Sequence, residues 1–530
     1  MTFECFALMR PADTPRAVRI AMYLLIFLVA ALASAPVLRA GFHQEDFSWL
    51  AMARHLDTPW IFFYRNIGFT YFYRPTGLLF WRFCAQLAGT DPWLQNFLDL
   101  ALQAVNACLV ALLATRLAGK RSAGLFAGLM FACLPAASGT ALWMSDRFDP
   151  VALCFGLLAL LAFHRAQGNP RWAPAAAMGL FACLSAKEVG YAVAAAMLAL
   201  QAWQSLEQRR WRIGMFAAVL IPVVLALALH SMVVVFEADA LAPAQAMQAL
   251  RRGVVNWWSY FPTAIFGFHG PDPVQGFLLA GASALVVVGL GAAVRNRQRE
   301  TLQLALVGAA LVFAPAFLQW PITEGILGGT TASTFTTNLR FYYFAVAGLA
   351  LLWSAGHAGL GSTRARFLLM AVSLALGAQW LATARLNARA WARETRASSA
   401  QYLALGHALA QLSFAPGCRI QLYAPDFPSQ FNQFADTIVK GSAPSGASVF
   451  GCSVFTTEIP YITIVSADQC ADTRWPGLRV HVVNRTQILA PLGNLCMIVF
   501  DAAPRLDQGN GLLRKFDVDA SGRLNEIGKD

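Results

Sequence analysis

The feature that most constrains this chain is a series of apolar runs, most of them about twenty residues long, separated by short polar segments. An α-helix rises 1.5 Å per residue, so about 20 apolar residues cross the roughly 30 Å hydrocarbon core of a bilayer. We therefore predict about eleven membrane-spanning helices, numbered here in chain order. They lie near residues 18–38, 94–115, 122–143, 150–164, 173–186, 189–205, 213–236, 275–294, 301–319, 341–356 and 367–386.

The composition supports a membrane protein and argues against a nucleic-acid partner. Hydrophobic residues make up 57% of the 530 residues and charged residues only 13%, whereas soluble globular proteins have about 25% charged residues. The net charge of +12 is spread over short basic clusters between apolar runs, and no single basic patch forms. The predicted fold class is an all-α polytopic membrane domain over residues 1–386, embedded in the lipid bilayer.

The positions of arginine and lysine predict the orientation of the spans, because short loops rich in these residues stay in the cytoplasm. With the N-terminus inside, every cytoplasmic segment carries at least two basic residues, whereas three outside segments carry only Arg147, Lys187 or Arg340. An odd number of spans then puts the C-terminal region outside. The first run, Ile20 to Leu38, exceeds the roughly 7–15 residues of a signal-peptide core, so we expect an uncleaved span.

Two long outside segments and a polar C-terminal region complete the chain. Residues 39–93 contain apolar faces typical of amphipathic helices at the membrane interface, and residues 237–274 form a second long loop. Residues 387–530 are predicted to be a periplasmic soluble domain of the α/β or α+β class. Its predicted strands cover residues 419–423, 461–465, 478–483 and 496–500. Its cysteines, which allow three disulfide pairings, are Cys418, Cys452, Cys470 and Cys496.

Charged residues at the outside ends of the spans are the candidates for function, since ionisable groups near a bilayer are costly. They occur in three short elements: Glu45-Asp46, Ser145-Asp-Arg-Phe-Asp149 and Ser185-Ala-Lys-Glu188. Such a set suits glycosyl transfer from a lipid-phosphate sugar. One carboxylate would accept the proton of the acceptor hydroxyl, and a cation would stabilise the departing phosphate.

At these residues the sequence resembles the GT-C superfamily of polyprenyl-phosphate-sugar-dependent glycosyltransferases, which includes protein O-mannosyltransferases and lipid A aminoarabinose transferases. The resemblance covers about residues 18–205 and rests on Gln44-Glu-Asp46, Tyr73-Arg-Pro75, Trp143-Met-Ser-Asp-Arg-Phe-Asp149 and Ser185-Ala-Lys-Glu188. It implies a hexosyl- or pentosyltransferase at the outer face of the cytoplasmic membrane. The Arg- and Ala-rich composition favours a bacterium, in which this is the periplasmic face of the inner membrane. The donor would be a polyprenyl-phosphate sugar, and the acceptor a glycan, lipid or protein.

The resemblance also implies roles for individual residues. The implied catalytic residues are Asp46 with its neighbour Glu45, the donor-phosphate ligands are Arg147, Lys187 and Arg74, and the groups that orient the site or acceptor are Asp149 and Glu188. No close ligand spacing indicates an obligatory metal, although some members of the superfamily use a divalent one.

Each assignment has a structural alternative. Asp46 would equally suit the N-cap of a helix beginning at Phe47, and Asp149 before Pro150 would suit a helix start. Arg147 would serve as an interfacial anchor or as the salt-bridge partner of Asp149, and Lys187 and Glu188 as solvated turn residues. Arg74 would equally contact lipid headgroups, given the neighbouring aromatic residues.

Other functions also fit parts of the sequence. A lipid-linked oligosaccharide ligase or polymerase would place its decisive residues in the second long loop, where Arg251, Arg252 and His269 are the candidates. A flippase would need charges or broken helices at mid-membrane, and a non-catalytic scaffold would keep the topology alone. The aromatic run Trp257-Trp258 fits either sugar stacking or an interfacial belt.

Overall fold

The structure is a computed structural model. It describes residues 15–43, 46, 49–50, 53, 63, 73–233, 243–266, 273–318 and 339–410, and seven strands between residues 419 and 527. The chain divides into two compact units. The first consists of Met1–Leu38, Asn96–His230 and Glu237–Trp391, and the second of Arg39–Gln95, Ser231–Phe236 and Ala392–Asp530.

The described helices, in chain order, are α1 Arg16–Ser34, α2 Pro75–Ala88, α3 Pro92–Ala118, α4 Arg121–Cys133, α5 Pro135–Thr140, α6 Phe148–Ala166, α7 Ala173–Leu184, α8 Tyr191–Gln208, α9 Ile213–Val233, α10 Pro243–Phe266, α11 Pro273–Arg295, α12 Arg299–Leu318, α13 Tyr343–Gly359 and α14 Thr363–Ala410. Short 3-10 turns cover Ala35–Arg39, Met144–Arg147, Pro170–Trp172, Glu188–Gly190 and Arg340–Tyr342.

Nine helical segments of the described chain are long and apolar enough to cross a membrane. The segments predicted at 122–143 and 173–186 are also helical, but α4 has 13 residues and α7 has 12. The prediction of one unbroken helix over 122–143 is wrong. Leu134 has an extended backbone and Pro135 starts a new helix, because proline disfavours helical geometry in the residue before it and cannot donate a helical hydrogen bond.

Helix α13 lies at the centre of the first unit, where it packs against α4, α11 and α12. All but two of its residues are buried. Glycines permit this close packing: a Cβ atom on Gly348 would lie 2.6 Å from the carbonyl oxygen of Gly308 on α12, and one on Gly289 of α11 would overlap Gly356. Small residues bring helix backbones together in membranes, where the lipid leaves little hydrophobic drive for association.

The C-terminal end of α13 is capped by side chains from three other segments. The Lys120 ammonium donates to the Ala358 carbonyl at 2.9 Å, the Gln298 amide to Gly359 at 3.5 Å, and the Arg366 guanidinium to Leu360 at 2.6 Å. The last carbonyls of a helix have no intrahelical partner and carry partial negative charge. Lys120 and Arg366 therefore donate hydrogen bonds to these carbonyls and also offset their partial negative charge.

In the second unit, α2 leads through a tight turn into the start of α3. Gly89 adopts a positive φ of 55°, and the Gln95 amide donates to the carbonyls of Cys84 and Gly89. The Asp91 carboxylate accepts the backbone N–H of Trp93 at 2.9 Å, as expected of a helix N-cap. Helix α14 runs without a break across residue 386, and its Ser399 closely approaches Gly41.

The C-terminal region contains two small sheets. Its strands are β1 Arg419–Tyr423, β2 Ser453–Thr456, β3 Ile462–Ser466, β4 Leu478–His481, β5 Leu495–Phe500, β6 Leu513–Val518 and β7 Leu524–Ile527. The first sheet has the order β2-β1-β6-β7, with β1 parallel to both neighbours, and the second is the antiparallel sheet β3-β5-β4.

The predicted fold class, an all-α membrane domain followed by a region that contains strands, is confirmed. The four predicted strands correspond to β1, β3, β4 and β5, whereas β2, β6 and β7 were not predicted. Cys496 lies on β5, and the other three cysteines of this region lie outside the described residues.

Candidate functional site

Four membrane helices contribute charged residues, each from near its N-terminal end, to one place in the first unit. They are α3, α6 with the turn Met144–Arg147, α8 with the turn Glu188–Gly190, and α13 with the turn Arg340–Tyr342. Six charged residues from these ends form what we call the charged cluster. Its members are Asp99, Asp146, Arg147, Asp149, Lys187 and Arg340.

The charged cluster consists of three ion pairs. Arg147 Nη2 lies 2.8 Å from Asp99 Oδ2, Arg340 Nη1 lies 2.8 Å from Asp146 Oδ1, and Lys187 Nζ contacts Asp149 Oδ2. Three cations and three carboxylates leave the cluster formally neutral. This balance matters because an uncompensated charge inside a membrane domain costs several kcal/mol.

Two of these pairs show how the short helices cross the bundle. Arg147 follows α4 and α5 and returns to Asp99 near the start of α3. Lys187 follows α7 and returns to Asp149 at the start of α6. Each short segment therefore retraces most of the length of the helix before it. In the part of the chain that the structure describes, the nine long segments and these two shorter ones together give eleven candidate crossings.

The turn that carries Asp146 and Arg147 and leads into Asp149 is built locally. The Asp146 backbone N–H donates to the Trp143 carbonyl at 2.9 Å, which closes the 3-10 turn before α6. Asp149 lies in the first turn of α6, where a carboxylate is favoured by the helix dipole. The helix-start alternative for Asp149 and its contact with Lys187 are thus both present in the structure.

The three cations of the cluster differ in accessibility. The side chain of Arg147 is 0% exposed and that of Lys187 is 6% exposed, whereas that of Arg340 is 24% exposed. The Arg340 guanidinium also lies over the rings of Trp143 and Phe341, 5.0 Å from each centroid. Arg340 is therefore the cluster cation that a ligand can reach most readily.

Uncharged polar groups adjoin the cluster. The Asn106 amide of α3 donates to the Pro150 carbonyl at 2.8 Å and to the Tyr343 hydroxyl at 3.0 Å. The Tyr343 hydroxyl in turn donates to Gln103 Oε1. These contacts join α3, α6 and α13 beside the ion pairs.

One aromatic residue of the second long loop, Trp257, packs inside the protein, whereas Trp258 is half-buried. Trp257 is buried on α10, its ring lies 5.0 Å from that of Tyr342, and its carbonyl accepts the Tyr342 hydroxyl at 2.9 Å. This packing leaves Trp257 unavailable for stacking on a sugar. Arg251 and Arg252 are exposed on the same helix, and His269 lies outside the described residues.

The first-loop residues Asp46 and Arg74 belong to the second unit. Asp46 is 1% exposed, and its Oδ2 accepts the backbone N–H of His43 at 2.8 Å. Asp46 itself has a helical backbone and its N–H donates to the His43 carbonyl at 3.0 Å. These contacts resemble a capping box in which His43, not Asp46, takes the N-cap position.

Burial also perturbs titratable groups of this loop. It lowers the pKa of His43 to about 4, so this imidazole is neutral in the folded protein. It raises the pKa of Tyr73 to about 12, and the Tyr73 hydroxyl donates to the Phe63 carbonyl at 3.2 Å. Arg74 is the half-buried N-cap residue of α2.

Of the residues singled out in the sequence, Arg147, Asp149 and Lys187 come together in the charged cluster. Glu188 is half-buried beside Lys187, and Glu45 lies outside the described residues. The sequence reasoning missed Asp99, Asp146 and Arg340. The sequence did contain a signal for two of them. Asp99 is a carboxylate inside an apolar span, and Arg340 is an arginine on the side predicted to be poor in basic residues.

Metal ligands do not gather in the part of the chain that the structure describes: no group of three or more His, Cys, Asp and Glu side chains there is placed to hold an ion.

No protein-family model matches the sequence, and no curated protein sequence matches it. Among solved structures, the chain is similar to ArnT from Cupriavidus metallidurans bound to undecaprenyl phosphate. The identity is 14% and the TM-score 0.47, over 92% of this chain and 99% of that one. For the apo state of that ArnT the identity is 14% and the TM-score 0.46, over 91% and 98%.

A second similar fold is that of the Archaeoglobus fulgidus oligosaccharyltransferase in complex with Zn and sulfate. The identity is 12% and the TM-score 0.45, over 81% of this chain and 63% of that one. At these values the comparisons assign no residue a role and no substrate to the chain.

Proposed function

We propose that this chain is a membrane glycosyltransferase of the GT-C type, which moves a sugar from a polyprenyl-phosphate donor to an acceptor at the periplasmic face of the inner membrane. The observation that carries the proposal is the charged cluster. Six ionisable side chains from four separate segments converge at one end of a membrane bundle, and ionisable groups buried in a membrane domain mark function by default.

The position of the cluster fits a lipid-linked donor. Its residues lie near the N-terminal ends of α3, α6, α8 and α13. These are even-numbered spans of the predicted topology, so with a cytoplasmic N-terminus all four begin on the outer side. A polyprenyl chain would remain in the hydrocarbon while its phosphate reached this level.

The chemistry of the cluster fits a phosphate. The N-termini of α6, α8 and α13 contribute partial positive charge, and Lys187 and Arg340 supply cations at the same place. In our proposal these two side chains contact the donor phosphate first, because Arg147 is completely buried against Asp99. Asp149 and Glu188 orient the site. Arg74 is a further phosphate ligand in this proposal, on the basis of the sequence motif alone.

The proposed reaction is a single displacement at the anomeric carbon. The acceptor hydroxyl oxygen forms a bond to that carbon while the bond to the phosphate oxygen breaks, and the electron pair leaves with the polyprenyl phosphate. Asp46, assisted by Glu45, accepts the hydroxyl proton. The cations stabilise the charge that develops on the leaving phosphate. No step requires a metal, so we expect turnover to survive treatment with EDTA.

The test compares the wild type with Asp46→Asn and Asp46→Ala, purified in detergent, for hydrolysis or transfer from a panel of polyprenyl-phosphate sugars. A positioned base contributes about 100-fold or more, so both variants should lose at least that factor. Asp46→Asn keeps an acceptor oxygen for the His43 backbone N–H and should melt near the wild-type temperature, whereas Asp46→Ala loses that bond and should melt at a lower temperature. Asp91→Asn is the matched control, because Asp91 is an exposed cap residue and asparagine also caps helices. Activity that survives both Asp46 substitutions would contradict the base role.

A further inference from the structure

Helix α3 carries a polar stripe along one face. Asn96, Asp99, Gln103 and Asn106 follow one another at intervals of three, four and three residues, which places them on the same side of a helix. All four are buried. They extend over about 15 Å of a helix that otherwise has the composition of a membrane span.

The polar stripe holds the start of α6 at two points. Asp99 pairs with Arg147 at 2.8 Å, and Asn106 donates to the Pro150 carbonyl at 2.8 Å. These two anchors lie on either side of Asp149, whose carboxylate contacts Lys187. Two attachment points on one rigid turn fix its rotation and its position along α3. They thereby fix the position of the Asp149–Lys187 pair.

The same stripe also holds the start of α13. Tyr343 contacts both Gln103 and Asn106 through its hydroxyl, and it follows Arg340 by one turn of the chain. The position of Arg340 against Asp146 is therefore tied to the same helix face as that of Lys187. One element thus sets the separation of Lys187 and Arg340, the two cations of the proposed phosphate site.

We infer that the polar stripe of α3 is the positioning element of the donor-phosphate site, with Asp99, Gln103 and Asn106 acting through Arg147, Pro150 and Tyr343. The inference rests on the proposed function, because it concerns the place where the donor phosphate would bind. Its residues contact no reacting atom. They position Lys187 and Arg340, and a displacement of about 1 Å in such groups can lower the reaction rate roughly 100-fold.

The test measures the binding of undecaprenyl phosphate to the purified full-length protein in detergent, together with its melting temperature. The variants are Asn106→Leu, Tyr343→Phe and the double variant Asp99→Asn with Arg147→Gln. Each removes contacts of the stripe without leaving a buried charge. The matched control is Gln201→Leu, since Gln201 is also a buried, hydrogen-bonded amide of a membrane helix but lies near the opposite end of α8.

We expect the dissociation constant to rise about 10- to 100-fold in the stripe variants and to stay within twofold of wild type in Gln201→Leu. The inference is overturned if the stripe variants melt at a lower temperature but bind the lipid as tightly as wild type. The polar stripe would then stabilise the fold without positioning the phosphate site. If Asn106→Leu does not fold, Tyr343→Phe, which removes one hydroxyl, decides alone. A wild-type protein that does not bind undecaprenyl phosphate would overturn the proposed function, and the inference with it.

Discussion

At the scale of single residues, the charged cluster shows how burial and pairing divide similar side chains into different roles. Arg147 and Arg340 are both arginines paired with an aspartate at 2.8 Å. Arg147 is enclosed, whereas Arg340 keeps part of its side chain exposed, with its guanidinium above Trp143. The same pairing therefore secures one arginine within the fold and presents the other to a ligand.

Substitution of Arg340 should affect stability and ligand binding separately. Arg340→Gln leaves Asp146 buried without its cation, so we expect a loss of about 3–5 kcal/mol in the free energy of unfolding. The double variant with Asp146→Asn should recover most of that stability and still bind undecaprenyl phosphate more weakly than wild type. Thermal melts and lipid titrations check the two effects. Normal binding by the double variant would contradict the role of Arg340.

The pH dependence of stability should reveal His43. Burial lowers the pKa of His43 to about 4, whereas the unfolded chain takes up this proton near pH 6.5. The unfolded state therefore binds more protons between these values, and this contribution to stability falls as the pH decreases from 6.5 towards 4. Melting temperatures of wild type and His43→Gln over this range should diverge, with the variant less sensitive. Parallel curves would show that His43 titrates normally.

At the scale of elements, glycines decide how closely the helices of the first unit pack. A side chain on Gly289 would overlap the backbone of α13 at Gly356, whereas Gly291 on the same helix has open space around it. The two glycines are two residues apart in sequence. They thus separate the effect of helix contact from that of helix propensity.

Replacing these glycines by alanine should give opposite results. Gly289→Ala forces α11 and α13 apart and should cost about 1–3 kcal/mol. Gly291→Ala should be neutral or stabilising by up to about 1 kcal/mol, because alanine favours a helix over glycine. Unfolding in detergent monitored by circular dichroism measures both. Equal destabilisation by the two substitutions would exclude close helix contact as the cause.

At the scale of the whole molecule, the ion pairs and the helix lengths together determine the path of the chain. The returns of Arg147 to Asp99 and of Lys187 to Asp149 mean that the shorter α4–α5 and α7 segments cross the bundle like their longer neighbours. Eleven crossings are an odd number. The C-terminal region is then expected on the side opposite to the N-terminus.

Reporter fusions in a bacterial host test this topology. Alkaline phosphatase, which is active only outside the cytoplasm, should be active when fused after residue 410 and inactive when fused after residue 210. Fusions after residue 186 should be active, because the segment before Lys187 is predicted to be an outside hairpin. Activity after residue 210 would overturn the orientation, and with it the periplasmic placement of the charged cluster.

The sequence by itself determined the features that depend on local composition and period. Apolar length identified the spans, the basic loops predicted their orientation, and alternating apolar residues predicted β1, β3, β4 and β5. The sequence missed β6, whose residues Arg514, Lys515 and Asp517 hide the strand pattern. It also treated residues 122–143 as one helix, although Pro135 divides them.

Only the tertiary structure decided which charged residues meet. Asp99 and Arg340 are separated by 241 positions in the chain and yet belong to one cluster, and nothing in the residues around either one reveals the partner. Ion pairing inside a membrane bundle depends on which helix ends lie side by side, and that is settled by long-range packing such as the glycine contacts of α13. Local sequence therefore identified charged turns, whereas packing selected their partners and left Arg340 as the most accessible cation of the cluster.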